Sequence, residues 1–446
     1  MNPRFSYNTK QDLADALSAL GLEMAYSDNA GVLAEPLKIG SMTIPNRIAY
    51  QPMEGCDGNT DGSPGELTER RYRRFAEGGA GLIWLEAVAI AENARANPRQ
   101  LWIHEKNKDS FKVLIENIKK ICYDKNGYSP VVIVQLTHSG RYSKPNGIPE
   151  PIIAYNNPIF EGDNPISEDC IITDDQCGVL EQDFGRAVRL AAECGADGAD
   201  IKCCHRYLLS EFLSAFTRKG QYGGSFDNRT RLFRNAVSAA KANSGTMLVT
   251  SRLNAYDGFP YPYGFGVSPQ DSGITPDLTE TLELVRILHD HHKFSLINIT
   301  AGNPYVNSNV NRPADVARFL DIEHPLIGAE RILGFAGTVQ RAFPDCAVIS
   351  SGLSYLRHHG ANIAAAMIER GDCAMAGFGR LTFAYPDCAA DIIGTGGLNP
   401  AKCCIACGKC TEIMRGGGQA GCPVRDSAVY AEILRMSRCI MLSPSR

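Results

Sequence analysis

The chain has 446 residues, 44% hydrophobic and 21% charged, an ordinary globular profile with room for one large domain and an appendage. A formal charge of −4 and a pI near 6.2 provide no basic surface for nucleic acid or an acidic membrane. No apolar run approaches the ~18–20 residues of a membrane helix and the polar start has no signal-peptide core, so a cytoplasmic protein with no nucleic-acid or membrane partner is expected.

Residues 1–30 read as an appendage, with a short amphipathic helix over Asp12 to Leu20. From Leu37 onward, short β-rich runs alternate with helical patterns. Strands are expected at Asn46 to Gln51, Gly81 to Ala87, Val131 to Leu136, Gly198 to Lys202, Met247 to Leu253, Leu296 to Thr300, Cys346 to Ser350 and Cys373 to Ala376. Helices are expected at Glu66 to Glu77, Asp109 to Tyr123, Leu180 to Cys194, Asn228 to Asn243, Asp277 to His289, Glu330 to Phe343 and Ala361 to Arg370. Such alternation argues for a parallel sheet covered on both faces. Eight repeats favour an α/β fold of the (β/α)8 TIM-barrel type over residues 31–395, followed by a small C-terminal segment, residues 396–446.

The loops after the third, fourth and fifth strands are long (His138 to Asp175, Leu213 to Asp227, Ala255 to Thr275). In a barrel they share the face where active sites are built. The last of them carries Tyr256, Phe259, Tyr261, Tyr263 and Phe265, which suits either a flat apolar ligand or ordinary packing. Just past the fourth strand stand Lys202, His205 and Tyr207, three polar tips close enough to converge on one small group. Taken alone they read equally well as two solvated loop residues and a core tyrosine. No strand–Gly-x-Gly-x-x-Gly–helix unit and no Walker-type loop is present.

Of sixteen cysteines, five crowd between Cys403 and Cys422. Cys404-x2-Cys407-x2-Cys410, then eleven residues to Cys422-Pro423, is the way four thiolates are brought to one [4Fe-4S] cube. A four-Cys zinc site is the alternative, though zinc favours paired Cys-x-x-Cys knuckles. The register Cys403-x3-Cys407-x2-Cys410 is set aside, because it leaves Cys422 without a role. The scattered cysteines suit buried small hydrophobes in a reducing compartment.

A barrel with a four-Cys motif behind it, together with Pro45-Asn46-Arg47…Gln51-Pro52-Met53, Gln135-Leu136-Thr137-His138-Ser139-Gly140-Arg141 and Tyr222-Gly223-Gly224-Ser225, resembles the Old Yellow Enzyme family of FMN-dependent ene-reductases. It is most similar to the iron–sulfur branch typified by 2,4-dienoyl-CoA reductase, bile-acid enoate reductases and trimethylamine dehydrogenase. The resemblance covers Leu37 to about Asp426. It implies an FMN over the barrel mouth, held by Pro52, Met53, Glu54, Ala87, Gln135 and Arg252, with a phosphate site at Ser351, Gly352, Gly379 and Arg380. It implies a [4Fe-4S] cluster on Cys404, Cys407, Cys410 and Cys422. It places Lys202 and His205 on the substrate carbonyl and makes Tyr207 the proton donor. Lys202 departs from the family pattern, in which that position is usually His.

The implied reaction transfers hydride from reduced FMN N5 to the β-carbon of an α,β-unsaturated carbonyl, with a steroid or bile-acid enone the candidate suggested by the resemblance, within anaerobic metabolism. Glu54 stands where trimethylamine dehydrogenase has its flavin-linking Cys, which argues for non-covalent FMN. FAD- and NAD(P)-binding domains are not expected, so electrons come from NAD(P)H or from a separate ferredoxin, flavodoxin or flavin reductase. A homo-oligomer is expected. Two other readings compete: an amine dehydrogenase or demethylase, whose cationic substrate Lys202 would repel, and a non-catalytic flavin/iron–sulfur electron-transfer subunit.

Overall fold

A computed structural model describes residues 5–270, 272–315 and 323–442. A hairpin comes first, β1 (Leu37–Ile39) with β2 (Met42–Ile44). The barrel strands follow: β3 (Ile48–Tyr50), β4 (Leu82–Ala89), β5 (Val131–Thr137), β6 (Gly198–Ile201), β7 (Leu248–Thr250), β8 (Arg252–Asn254), β9 (Leu296–Thr300), β10 (Ala347–Ile349) and β11 (Ala376–Phe378). All pair in parallel, in the order β11-β3-β4-β5-β6-β7 and β8-β9-β10. β7 and β8 are one barrel strand interrupted at Ser251, whose hydroxyl donates to the Ile201 carbonyl at 2.7 Å. A bridge between Ile349 and Met375 closes the circle. The fold is thus the (β/α)8 barrel that the alternation implied.

The strands are apolar on both faces because both are covered: every residue of β4, β5, β6 and β9 is buried. Fully burying each Val, Leu or Ile contributes about 1.5–3 kcal/mol. Ile39 and Ile44 of the hairpin pack on Leu82, Val131, Leu296 and Ala347 near the starts of their strands, so β1–β2 plugs the end opposite the active face. Residues 5–30 do something else. Phe5 lies edge-on to Tyr355, and its backbone N–H donates to Asp315.

Helix ends follow local chemistry. The helix Asp174–Glu193 begins six residues before the expected Leu180, because Thr173 and Gln176 form a capping box. The helix Pro325–Ala342 likewise begins five residues early, where His324 caps it and Pro325 takes the first turn. Strand β11 lies later than Cys373 to Ala376 because Ala376–Phe378 is the stretch in register with Ile48–Tyr50. The helix Ser427–Leu442 was not anticipated.

Candidate active site

An open cavity lies at the C-terminal ends of the barrel strands. It is lined by Pro52, Met53 and Glu54 after β3, Gln135 of β5 and Arg252 of β8. Lys202, His205 and Tyr207 line it from the turn after β6, and Ser351, Gly352, Gly379 and Arg380 from behind β10 and β11. Among the residues anticipated for flavin and substrate, Ala87 alone does not line it; it is fully buried within β4, and its carbonyl accepts from Gln100. Of the two readings of the aromatic loop, the structure takes ordinary packing. Tyr256, Phe259 and Phe265 are buried, Tyr261 packs edge-on against Phe216, and none of the loop's five rings lines this cavity.

The β3 loop is shaped by a buried ion cluster. Arg71 bridges Asp57 and Glu86, and Glu86 also accepts from the Gly55 backbone N–H at 2.8 Å. A Cβ at position 55 would collide with the Arg71 guanidinium, so glycine is required there. This anchor fixes the position of Glu54, the next residue back. Burial raises the Glu86 carboxyl above its usual range even though Arg71 opposes the shift.

Glu54 is the unexpected centre of the polar wall. Its Oε1 accepts from Tyr207 Oη at 3.1 Å and from Lys202 Nζ at 3.3 Å. The Lys202 ammonium sits 3.7 Å from the Tyr207 ring centroid, a cation–π contact. Tyr305 Oη is 3.2 Å from Tyr207 Oη, and the Tyr305 ring stacks on Tyr142 at 3.9 Å. Burial first, then the Glu54 carboxylate, pushes the Tyr207 phenol well above its usual range, so it stays protonated.

His205 and Arg206 both adopt left-handed backbone, with φ of 64° and 60°. Two consecutive non-glycine residues there are strained. The turn is held from behind by Arg206, which is fully buried and pairs with Asp257 at 2.9 Å. His205 Nε2 is buried and unpartnered among the described residues, as is Arg252 Nε. Burial, reinforced by the charges of Arg252, Lys202 and Arg312, drives the His205 imidazole well below its usual range, so it is neutral.

At the opposite end, Arg312 and Arg380 line the cavity, and no carboxylate among the described residues pairs with either. Arg312 is pushed down to about 10 by burial and by the neighbouring charge of Arg380. Tyr305, Arg312 and Gln51 were not anticipated as site residues. Gln51 lies inside the Pro45-to-Met53 motif; Tyr305 and Arg312 follow the sixth barrel strand as the others follow theirs, in a loop that carries no motif of its own.

The cysteine segment covers the mouth. Ala420 N–H donates to the Gly55 carbonyl at 2.6 Å, Arg312 to Thr411 Oγ1 at 2.9 Å, and Asp426 pairs with Arg70 and Arg74. Cys404, Cys407, Cys410 and Cys422 line a separate, smaller void that shares Arg380, Phe383 and Cys410 with the main cavity. Left-handed Ala406 and Gly408 turn the chain between them. The N–H groups of Ala406 and Arg425 donate to the sulfurs of Cys404 and Cys422, each at 3.4 Å. Cys403 faces away, its thiol on the Asn399 carbonyl. Among the described residues no three His, Cys, Asp or Glu side chains close on a single metal-ion position, and no helix is long and apolar enough to cross a membrane.

Residues 32–266 match the model of the NADH:flavin oxidoreductase / NADH oxidase family. The chain is 25% identical over 345 residues to the NADH:flavin oxidoreductase FG08077 of Gibberella zeae, covering 72% of this chain and 80% of that one. It is 27% identical over 259 residues to an NADPH dehydrogenase of Clostridium acetobutylicum, covering 56% and 72%. Among solved structures it resembles a 2-naphthoyl-CoA reductase (TM-score 0.72, 19% identity), covering 92% of this chain and 58% of that one. It also resembles morphinone reductase (TM-score 0.61, 22% identity), covering 83% and 93%; these two likenesses concern the fold. With the matched region spanning more than half the chain and the cavity at the expected barrel face, the protein belongs to the NADH:flavin oxidoreductase / NADH oxidase family and is a flavin-dependent oxidoreductase.

Proposed function

We propose that the protein is an FMN- and [4Fe-4S]-dependent ene-reductase of the iron–sulfur branch of the Old Yellow Enzyme family. The observation that carries this reading is the meeting of Lys202, His205 and Tyr207 with Gln135 and Arg252 in one cavity. The site suits FMN. Unpartnered Arg252 Nε and the Gln135 amide would hold the flavin pyrimidine, which needs donors and an acceptor together. Arg380 and Arg312, with the backbone at Ser351, Gly352 and Gly379, would hold the phosphate, which supplies the negative charge these arginines lack. When bound and reduced, FMN supplies the hydride.

The chain's own residues handle the carbonyl and the proton. Neutral His205 and cationic Lys202 would donate hydrogen bonds to the substrate oxygen, where negative charge develops. Tyr207 would deliver its phenolic proton to the α-carbon, with Glu54 fixing the direction of the hydroxyl. Cys56 is buried and does not line the cavity, in keeping with a non-covalent flavin.

Four thiols around a void, with backbone N–H groups on two sulfurs, suit a cube better than one zinc ion, which would draw them together. In this reading residues 31–395 are the flavin domain, 396–446 the cluster segment and 1–30 an appendage. The protein works in the cytoplasm as a homo-oligomer, fed by NAD(P)H or a small redox protein.

Anaerobic purification should yield one FMN and about four irons per chain, with reduction of a steroid-type enone in a substrate panel. Cys404→Ser should lower the iron while sparing the flavin. A chain that binds no flavin, or one zinc and no iron, overturns the assignment.

A second reading has a specific observation behind it. Glu54 neutralises Lys202 at 3.3 Å, which removes the repulsion expected for a cationic amine. The fold neighbours include a histamine dehydrogenase from Rhizobium sp. 4-9 and a 6-hydroxypseudooxynicotine amine oxidase. Amine-dependent flavin reduction in the same panel, with no enone turnover, would favour it.

A further inference from the structure

Beneath the cavity lies a carboxylate to which the proposed chemistry assigns no role. Asp200 of β6 is fully buried and accepts three hydrogen bonds. Gln135 Nε2 donates to Oδ2 at 2.6 Å, Trp84 Nε1 to the same oxygen at 2.9 Å, and the Arg252 backbone N–H to Oδ1 at 2.7 Å. The donors come from three other strands, β5, β4 and β8. The Arg252 bond falls just after Ser251, where the fifth barrel strand is interrupted and no regular ladder fixes the backbone.

Two of these donors belong to the residues that the flavin reading places on the cofactor. An amide can be turned about its last bond, exchanging donor and acceptor. With Nε2 bound to Asp200, Gln135 keeps one N–H and its carbonyl oxygen free, and their positions are fixed. A carboxylate accepts two N–H groups from neighbouring strands and a third from an indole without conflict; a neutral acid or amide would carry a donor of its own into that shell.

We propose that Asp200 is the positioning residue of the cofactor site, a carboxylate that locks the Gln135 amide and the Arg252 backbone into the geometry that binds flavin. The proposal rests on the flavin assignment of the cavity. It adds a pH dependence. Burial raises the Asp200 carboxyl to about 6, against the hydrogen bonds from Gln135, Arg252 and Trp84 that favour its charge. The charged or titratable groups facing it are Lys202, Arg252, Cys203 and Cys204. The Lys202 ammonium favours the charged carboxylate. Above about pH 6 the carboxylate holds its three donors; below it, the protonated acid competes with them and releases Gln135.

Trp84 is one of only two tryptophans, so its indole N–H is a built-in reporter. In the purified flavoprotein, the Trp84 indole proton resonance, assigned by the Trp102→Phe variant, should shift with a midpoint near pH 6. Flavin affinity, measured by equilibrium dialysis over pH 5–8, should fall along the same curve on acidification. Asp200→Asn should weaken flavin binding about ten- to a hundredfold and change the flavin reduction potential, with Asp200→Glu restoring part of both. An indole resonance that titrates while flavin affinity stays flat overturns the proposal, whether or not the Asn variant folds. So does a folded Asp200→Asn protein with wild-type affinity and potential. Wild-type protein that binds no flavin at any pH sinks the cavity assignment instead.

Discussion

Tyr207→Phe should slow reduction of an enone substrate by about 10²–10⁴-fold, the usual contribution of a positioned general acid, while leaving flavin binding near wild type. The change removes one hydroxyl and keeps the ring that packs beneath Lys202. That hydroxyl donates to Glu54 at 3.1 Å and lies 3.2 Å from Tyr305. Stopped-flow mixing of reduced enzyme with substrate isolates the step. Glu54→Gln makes a graded partner variant, expected to cost about tenfold. It keeps a hydrogen-bonding group beside Tyr207 but removes the charge that pairs with Lys202. Lys202→Met should slow the same half-reaction. Full-speed reduction by the Tyr207→Phe enzyme with flavin bound rules out the phenol as the acid.

Arg206→Leu should destabilise the fold by about 3–5 kcal/mol, the cost of breaking a buried ion pair from one side. Both Arg206 and Asp257 are almost wholly inaccessible, and among the described residues Asp257 would keep only neutral donors, Asn254 Nδ2 at 2.8 Å and the Phe265 N–H at 3.2 Å. The guanidinium also donates to the Tyr263 carbonyl at 3.2 Å, so the variant loosens the loop carrying Phe259 and Phe265. It further frees the left-handed turn that presents His205. The denaturation midpoint should therefore fall, and the surviving folded fraction should lose substrate affinity. The double variant Arg206→Leu/Asp257→Leu should recover much of the stability, since an apolar pair leaves no orphaned charge. Recovery of stability without recovery of substrate affinity would separate the structural role of Arg206 from its control of His205. Unchanged stability in the single variant would mean the buried pair is dispensable.

The barrel and most of its site residues could be read in the chain, because both rest on local or periodic features. Alternation between β-rich runs and amphipathic helices repeats eight times, and apolar strands covered on both faces have few other solutions. Residues placed just past strand ends then fall on one face by geometry alone, which is why Gln135, Lys202, His205, Tyr207 and Arg252 meet in one cavity. The cysteine spacing is legible for a similar reason, since short spacers constrain where thiols can go. Tertiary structure decided the rest. Whether the aromatic loop after β8 faced the cavity or the protein depended on Arg206, whose guanidinium lies 5.8 Å from the Phe259 ring. That Glu54 would pair with Lys202 and Tyr207 depended on the buried Arg71 cluster, whose ion pairs join residues 14 and 15 apart in sequence. The three bonds to Asp200 span strands far apart in the chain. Periodicity tells which face a residue is on. Only the closed barrel tells which partner it meets there, because a hydrogen bond is settled by ångström-scale distances between segments that the sequence keeps apart.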